Sequence, residues 1–226
     1  MAEIRTSVNI QTEKAGRNRI LSIEWLLKAY GQPRWWSDDP FVVMLQSVLV
    51  QNTTWSSVEK TCAMFVNQLT PEYIEDLSTE ELEQIIRPCG FYKAKARTIQ
   101  ALTAWYRKYH FDRQAVHEVP MPRLRKELLS IRGVGAETAD VILVYAFYKA
   151  SFIIDAYTRR FLFRLGYNFS DDTAIKLFFE KELPEDAQFY GWYHWLILEH
   201  CISVCKKTPK CDICFLNGDC RQKLPK

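Results

Sequence analysis

The chain has 226 residues, of which 48% are hydrophobic, and a net charge of +3. This supports a folded globular protein, while so mild a basic charge does not by itself identify a nucleic-acid binder. Apolar stretches such as 41–50 are interrupted by polar residues and fall short of the roughly 20 residues that a membrane span requires. Residues 1–19 lack the apolar core of a signal peptide, so we expect a cytoplasmic protein, in which disulfides are rare.

Helical spacing dominates the chain. Apolar residues recur every three or four positions in at least eight segments, and alternating strand patterns are nearly absent. Gly, Pro and Asp clusters punctuate these segments as tight turns do. We predict an all-α protein with two helical lobes, one formed by 1–38 plus 150–226 and the other by 39–149. The helical segments include 20–30, 41–49, 56–69, 138–148 and 192–204.

Three tryptophans near the N-terminus differ from the others in their neighbours. Trp35, Trp36 and Trp55 stand beside turn or polar residues, which suits the wall of a pocket, although a tryptophan is often a core anchor. We prefer the core interpretation for the remaining ones that lie in apolar helices: Trp25, Trp192 and Trp195.

A glycine hairpin follows in the second half of the chain. The segment 128–140 is predicted to form a helix, a turn containing Gly133, Val134 and Gly135, and a second helix. The free N–H groups and positive dipole end of that second helix favour a phosphate. An ordinary connection between two helices is the alternative. Basic residues lie before and within the turn: Arg123, Arg125, Lys126 and Arg132.

An aspartate ends an apolar run about twenty residues beyond the hairpin. Asp155 follows Phe152, Ile153 and Ile154 and precedes a helix predicted to run to Leu165. It could therefore cap that helix, since Asp is a preferred N-cap, and it could also be a functional carboxylate. The two roles are compatible.

Four cysteines near the C-terminus have the spacing of a metal site. Five residues separate the first from the second, two the second from the third, and five the third from the fourth. Nearby Lys and Arg side chains offset thiolate charge. A tetrahedral zinc is the alternative to an iron-sulfur cluster. Zinc sites usually contain two pairs of cysteines separated by about two to four residues, and this segment has one such pair. The four residues are Cys205, Cys211, Cys214 and Cys220.

Together, the glycine hairpin, the apolar helix, the aspartate and the four-cysteine loop resemble the endonuclease III branch of the helix-hairpin-helix DNA glycosylases. The resemblance covers nearly the whole chain after residue 20. It implies a [4Fe–4S] cluster on the four cysteines, although the first spacing in that family is usually six residues. It also implies that Asp155 is essential for catalysis. The hairpin matching 131–136 would grip the DNA backbone through Arg132, Gly133, Val134, Gly135 and Ala136.

One position bears on the reaction type. Bifunctional members of the family have a lysine nucleophile just after the hairpin, where this chain has Glu137. A carboxylate cannot form a Schiff base with the sugar, so we expect a monofunctional glycosylase without lyase activity, in which water is the final nucleophile. Glu137 could help to place that water, or it could be a solvated acid at a helix N-terminus.

The segments 45–55 and 87–96, together with Glu137 and the tryptophans, resemble the bacterial 3-methyladenine DNA glycosylase III type. That subgroup sandwiches the flipped base between aromatic side chains, which would be Trp35 or Trp36 and Trp55 here. Gln51 matches the residue that fills the gap left in the duplex. Members of the subgroup need not carry the cluster, so the chain combines features of both branches.

The expected protein is thus a monomeric base excision repair enzyme of the cytoplasm, associated with the nucleoid, that acts on damaged double-stranded DNA and prefers alkylated purines. One rival is a glycosylase for uracil, for thymine opposite guanine, or for oxidised bases. Another is a non-catalytic DNA-binding iron-sulfur protein, which would have no use for a carboxylate facing the phosphates.

Overall fold

The computed structural model describes residues 23–65, 69–218 and 220–221. Their regular secondary structure is helical and includes no strand, which confirms the all-α prediction. No helix in these ranges is long and apolar enough to cross a membrane. The α-helices in chain order are α1 Ile23–Tyr30, α2 Pro40–Leu49, α3 Trp55–Met64, α4 Pro71–Asp76, α5 Thr79–Ile86, α6 Tyr92–Arg107, α7 Arg113–His117, α8 Met121–Leu129, α9 Ala136–Val141, α10 Ala156–Leu165, α11 Asp172–Glu182 and α12 Ala187–Ser203, with 3-10 helices at Arg87–Cys89 and Cys211–Ile213 and a π-helix at Ile142–Ala146.

Short polar side chains determine where several helices begin. The Asp39 carboxylate accepts a hydrogen bond from the backbone N–H of Phe41 at 2.8 Å, and Pro40 occupies the first helical position of α2. Proline is tolerated there because that position has no helical partner for an N–H. Thr70 caps α4 in the same manner. Both helices therefore begin with a side-chain cap followed by proline.

The chain divides into two compact units. The unit that carries the four cysteines, called here the cysteine unit, comprises Met1–Pro33, Tyr157–Asn168 and Trp195–Lys226. The unit that carries the glycine hairpin, called the hairpin unit, comprises Arg34–Ala156 and Phe169–His194. The lobe boundaries expected from the sequence stay a prediction, and residues 1–22 of the first lobe lie outside the described ones.

The core of the hairpin unit is built around α2 and the π-helix. Val43, Val48 and Leu49 of α2 have no exposed surface. All five residues of the π-helix Ile142–Ala146 are likewise buried. A helix that is apolar on every face belongs inside the protein, and these two elements pack together within one cluster of buried side chains.

The π-helix modifies a predicted element. The sequence predicts one apolar helix through 138–148, whereas α9 ends at Val141 and the chain then widens into the π-helix. Tyr148 has left the helix, with a left-handed φ of +52°. Because a π-turn places each later side chain at a different angle from an α-turn, it changes the direction in which Tyr145 points.

A buried ionic network fixes the segment that leads to Asp155. Asp140 is 3% exposed and accepts two hydrogen bonds from Arg125, at 2.8 Å and 3.2 Å. Its carboxylate also accepts the Ser151 hydroxyl at 2.6 Å and lies 3.3 Å from Lys176 Nζ. Because a buried charge requires partners, these contacts tie α8, α9 and α11 to the segment 151–155. Asp155 therefore stands at the end of an anchored segment.

Candidate functional site

The glycine hairpin has the helix-turn-helix form that the sequence predicts. Between α8 and α9, Gly133 adopts a φ of +93°, and a Cβ there would collide with the Thr98 hydroxyl. That hydroxyl donates to the carbonyl of Arg132 at 3.0 Å. Val134 is buried beneath the turn. Gly133 is therefore required by the turn itself.

Gly135 has a different role in the same turn. It adopts an ordinary extended conformation as the N-terminal neighbour of α9, and a Cβ there would meet no protein atom within 4 Å. Gly135, Ala136 and Arg132 are exposed. The open side of the hairpin thus presents backbone to whatever binds there.

Gln51 is tethered to the hairpin. Its amide Nε2 donates to the Gly133 carbonyl at 3.2 Å and to the Thr138 hydroxyl at 2.9 Å. The structure therefore brings together two features that are far apart in the sequence. Gln51 lies in the turn between α2 and α3, where Asn52 has a φ of +53°.

Phe91 is an exposed apolar residue at the start of α6 that the sequence did not single out as functional. This residue precedes α6 with a left-handed φ of +48° and is 71% exposed. One turn later, Lys95 is buried, and its Nζ donates to the carbonyls of Leu49 at 2.9 Å and Cys89 at 2.8 Å. These bonds join the start of α6 to the end of α2, which leads to Gln51. A bulky aromatic residue next to Gly90 was the available signal.

Trp35, Trp36 and Trp55 form one aromatic group with Tyr145, called here the tryptophan cluster. The Trp36 ring lies 5.5 Å from the Trp55 ring and 5.4 Å from the Tyr145 ring. The Trp35 ring lies 4.9 Å from Tyr145, and its indole N–H donates to the Tyr145 carbonyl at 3.1 Å. The π-helix thus supplies the residue around which the tryptophans assemble.

The three tryptophans are not equally accessible. Trp35 stacks on Tyr148 with ring centres 5.2 Å apart and an interplanar angle of 10°, so that face is covered. Trp36 is half-buried, and its N–H donates to Gln46 at 2.7 Å. Trp55 is 43% exposed at the start of α3. Trp55 therefore offers the largest aromatic surface to a ligand.

Asp155 is buried in the same unit, immediately before α10. It is 5% exposed, and its Oδ2 lies 3.4 Å from His194 Nε2. His194 Nδ1 lies 3.0 Å from the Tyr145 hydroxyl, which donates to the Gly191 carbonyl at 2.7 Å. The carboxylate is thereby connected to the tryptophan cluster. Sequence reasoning missed His194 and Tyr145, because both stand within apolar helices and gave no local signal.

Glu137 is exposed in the first turn of α9, directly after the hairpin. An acid in the first turn is favoured by the positive end of the helix. The structure therefore places this carboxylate beside the exposed backbone of Gly135 and Ala136.

The four cysteines line a single cavity in the cysteine unit. Its volume is about 70 Å³, and Arg164 and His200 also line it. Arg164 Nη1 donates to Cys205 Sγ at 3.3 Å. Hydrogen bonds from Cys201, His200 and Arg164 lower the pKa of Cys205 to about 4, against the opposing effect of burial. The cavity-lining cysteines are Cys205, Cys211, Cys214 and Cys220.

These cysteines do not converge on one point. Within the described ranges, no group of three His, Cys, Asp or Glu side chains is placed to hold a metal ion. Cys201 is buried in α12, and its sulfur lies 3.6 Å from the Tyr157 carbonyl oxygen in addition to its contact with Cys205. It packs within the unit and is absent from the described lining of the cavity.

Comparison with known proteins identifies the family. A candidate DNA repair glycosylase of Methanocaldococcus jannaschii is 38% identical over 205 residues, which are 88% of this chain and 93% of that protein. The structure of a trapped endonuclease III–DNA covalent intermediate superimposes with a TM-score of 0.73 at 29% identity, covering 88% of this chain and 92% of the other. Helicobacter pylori 3-methyladenine DNA glycosylase bound to 1,N6-ethenoadenine gives a TM-score of 0.63 at 28% identity, with coverages of 80% and 93%.

The sequence pattern of the HhH-GPD superfamily base excision DNA repair proteins matches residues 45–184, which include the hairpin, Glu137 and Asp155. The matched region is more than half of the chain. The chain therefore belongs to the HhH-GPD superfamily of base excision DNA repair proteins.

Proposed function

We propose that this protein is a monofunctional DNA glycosylase that hydrolyses the N-glycosidic bond of a flipped alkylated purine, with 3-methyladenine as the preferred base. The observation that carries the proposal is the buried carboxylate of Asp155, connected through His194 and Tyr145 to the tryptophan cluster. A carboxylate and a group of aromatic rings in one compact unit are the two parts that the proposed reaction requires.

Damaged double-stranded DNA is the proposed partner, bound by a monomer. Structures similar to this chain include an endonuclease III–DNA complex. The exposed backbone at Gly135 and Ala136, with Arg132 beside it, suits a phosphate contact that holds the duplex regardless of sequence. Gln51 would fill the gap left by the extruded nucleotide. Phe91 has the exposed apolar side chain that can wedge between base pairs.

The aromatic rings of the tryptophan cluster favour a positively charged base as the ligand. Alkylation at N3 or N7 gives a purine a positive charge, which weakens the glycosidic bond and attracts the base to electron-rich rings. Stacking contributes about 1–3 kcal/mol per base, which offsets the few kcal/mol needed to extrude it. Trp55 provides the accessible ring, and Trp36 and Trp35 form the wall behind it.

Asp155 would act on the sugar. As the bond to the base breaks, the deoxyribose gains oxocarbenium character, and a fixed carboxylate stabilises this charge or orients the attacking water. Glu137, exposed beside the hairpin, would help to place that water. Because the leaving base already carries a charge, little acid catalysis is needed.

The absence of an amine at position 137 supports hydrolysis without strand cleavage. The endonuclease III in the similar structure is trapped as a covalent intermediate with DNA. In this chain, Glu137 stands where the resemblance places the lysine nucleophile. Lys95 is also unsuited to that role, because its side chain is buried and its Nζ donates to the carbonyls of Leu49 and Cys89. We therefore propose an intact abasic site as the product.

A [4Fe–4S] cluster is the proposed cofactor of the cysteine unit. A tetrahedral zinc would need the four sulfurs about 2.3 Å from one point. The thiols instead surround a cavity of about 70 Å³, and Arg164 donates to the sulfur of Cys205. This donor set fits a cluster with one thiolate per iron. When bound, the cluster would supply crosslinks through the segment 205–220.

A glycosylase for uracil, mismatched thymine or oxidised bases is the second candidate. The specific observation in its favour is the endonuclease III structure, whose TM-score of 0.73 exceeds the 0.63 of the 3-methyladenine glycosylase. Against it stands the tryptophan cluster, whose rings would select a base by charge and stacking rather than by reading base edges.

The Asp155→Asn variant tests the catalytic assignment. We expect base excision to fall by about a hundredfold or more, the scale of a removed electrostatic stabiliser, while DNA affinity is kept. Single-turnover release and binding to an abasic-site duplex measure the two quantities. Asp76→Asn, an exposed acid at the end of α4, is the matched control. Near-normal release by Asp155→Asn would mean that Asp155 merely precedes α10 and has no catalytic role.

A further inference from the structure

A buried chain of contacts leads from the tryptophan cluster to Asp155. Its members are Tyr145, which is 3% exposed, His194, which is 6% exposed, and Asp155, which is 5% exposed. Polar contacts shielded from water in this way are strong when satisfied and costly when broken. Each link therefore restricts the orientation of the next.

The hydroxyl of Tyr145 determines which group donates and which accepts in this series of polar contacts. It has one proton, and the Gly191 carbonyl at 2.7 Å can only accept it. Burial, with a contribution from the charge of Asp155, raises the pKa of Tyr145 above its ordinary value, so the hydroxyl keeps its proton at neutral pH. The oxygen of Tyr145 is then the acceptor for His194 Nδ1 at 3.0 Å, which must carry a hydrogen.

This arrangement leaves His194 Nε2 facing Asp155 Oδ2 at 3.4 Å. With Nδ1 protonated, a neutral ring would direct its Nε2 lone pair at the carboxylate, which is repulsive. One proton must therefore lie between the two groups, on either the imidazole or the carboxyl group. That shared proton holds the carboxyl group in one orientation.

We propose that His194 is a positioning residue for Asp155, itself oriented by the hydroxyl of Tyr145. The inference rests on the proposed catalytic role of Asp155. Tyr145 also contacts the rings of Trp35 and Trp36. The packing of the base slot and the orientation of the carboxylate thus depend on the same residue of the π-helix.

A double-mutant cycle between His194 and Asp155 tests the proposal. Single-turnover release is measured for the wild type, His194→Leu, Asp155→Asn and the double variant, on whichever lesion duplex the wild type processes fastest. We expect His194→Leu to lower release about tenfold, as for the loss of a hydrogen bond to a charged group, with unchanged affinity for an abasic-site duplex. In the Asp155→Asn background the same change should have no further effect.

Two further variants keep the test informative if His194→Leu fails to fold. His194→Gln retains an N–H near the position of Nε2 and should recover most of the activity. Tyr145→Phe keeps the ring but loses the hydroxyl, and its effect should also vanish in the Asp155→Asn background. Equal losses in both backgrounds would mean that His194 is merely structural and would overturn the proposal. A wild-type rate from Asp155→Asn alone would instead refute the proposed function, and so would a wild type that releases no base.

Discussion

At the scale of single residues, the three tryptophans of the cluster differ in how accessible their rings are, and this difference separates the proposed base-binding residue from the other two. Trp35 is stacked on Tyr148, and Trp36 is held by Gln46 through its indole N–H. Trp55 is the most exposed of the three and contacts the cluster edge-on through Trp36. We therefore assign base stacking chiefly to Trp55 and the shape of the slot to the other two.

Trp55→Ala should lower the release of methylated purines roughly tenfold, since loss of one stacking partner costs about 1–3 kcal/mol. Binding to an abasic-site duplex should change little, because that ligand has no base to stack. Single-turnover kinetics and a binding titration measure the two effects. Trp25→Ala is the matched control: the core position expected for Trp25 from the sequence is wrong, since this residue is 38% exposed, and it belongs to the cysteine unit. Equal losses in the two variants would contradict the assignment.

At the scale of structural elements, the hairpin contains two glycines that differ in backbone conformation and in the space around them. Gly133 needs its left-handed φ of +93° and lies against Thr98, so its replacement disturbs the fold. Gly135 has ordinary backbone angles and open space beyond its Cα. The fold itself therefore does not require glycine at this position, and we propose that its small size lets a DNA phosphate approach the backbone.

Substitution of the two glycines should separate stability from binding. Gly133→Ala should lower the melting temperature by several degrees, since about 1 kcal/mol corresponds to roughly 2–4 °C in a protein of this size. Gly135→Val should leave the melting temperature nearly unchanged and weaken binding to every duplex, regardless of sequence. Thermal unfolding and salt-dependent titrations measure these effects. The assignment is wrong if Gly135→Val binds DNA as the wild type does.

Local signals account for what could be predicted at this scale. Asp39 and Pro40 mark the start of α2 in any context, and the two glycines predict a hairpin. The π-helix could not be predicted, because the apolar residues 142–146 have the same spacing that an α-helix would show. The pairing of Asp155 with His194 could not be predicted either, because it joins α12 to a segment distant in the sequence. Phe91 gave only the weak signal of an aromatic residue beside Gly90.

At the scale of the whole molecule, the two compact units carry different chemistry. The hairpin unit holds the tryptophan cluster and Asp155, whereas the four-cysteine cavity belongs to the cysteine unit. The proposed cofactor therefore shares no residue with the proposed reaction.

The purified protein should be brown and contain about four irons per chain, as a four-cysteine cluster requires. Cys211→Ser should lose iron and solubility, because the crosslinks of the 205–220 segment depend on the cluster. Cys62→Ser, which changes a half-buried cysteine of the hairpin unit, is the matched control and should keep its iron. Metal analysis and visible absorption provide the measurements. Stoichiometric zinc in protein produced with adequate iron would refute the cluster.

The most direct test of the proposed function is a panel of duplexes, each containing one lesion, incubated with the wild-type protein and divided into samples with and without alkali. We predict that 3-methyladenine is released fastest, that uracil and thymine glycol are released poorly, and that strand breaks appear only after alkali. The rate of release should be about thirtyfold higher for 3-methyladenine than for the neutral bases, because a desolvated cation–π contact contributes roughly 2 kcal/mol. Efficient release of thymine glycol with strand breaks before alkali, together with a borohydride-trapped adduct, would contradict the account.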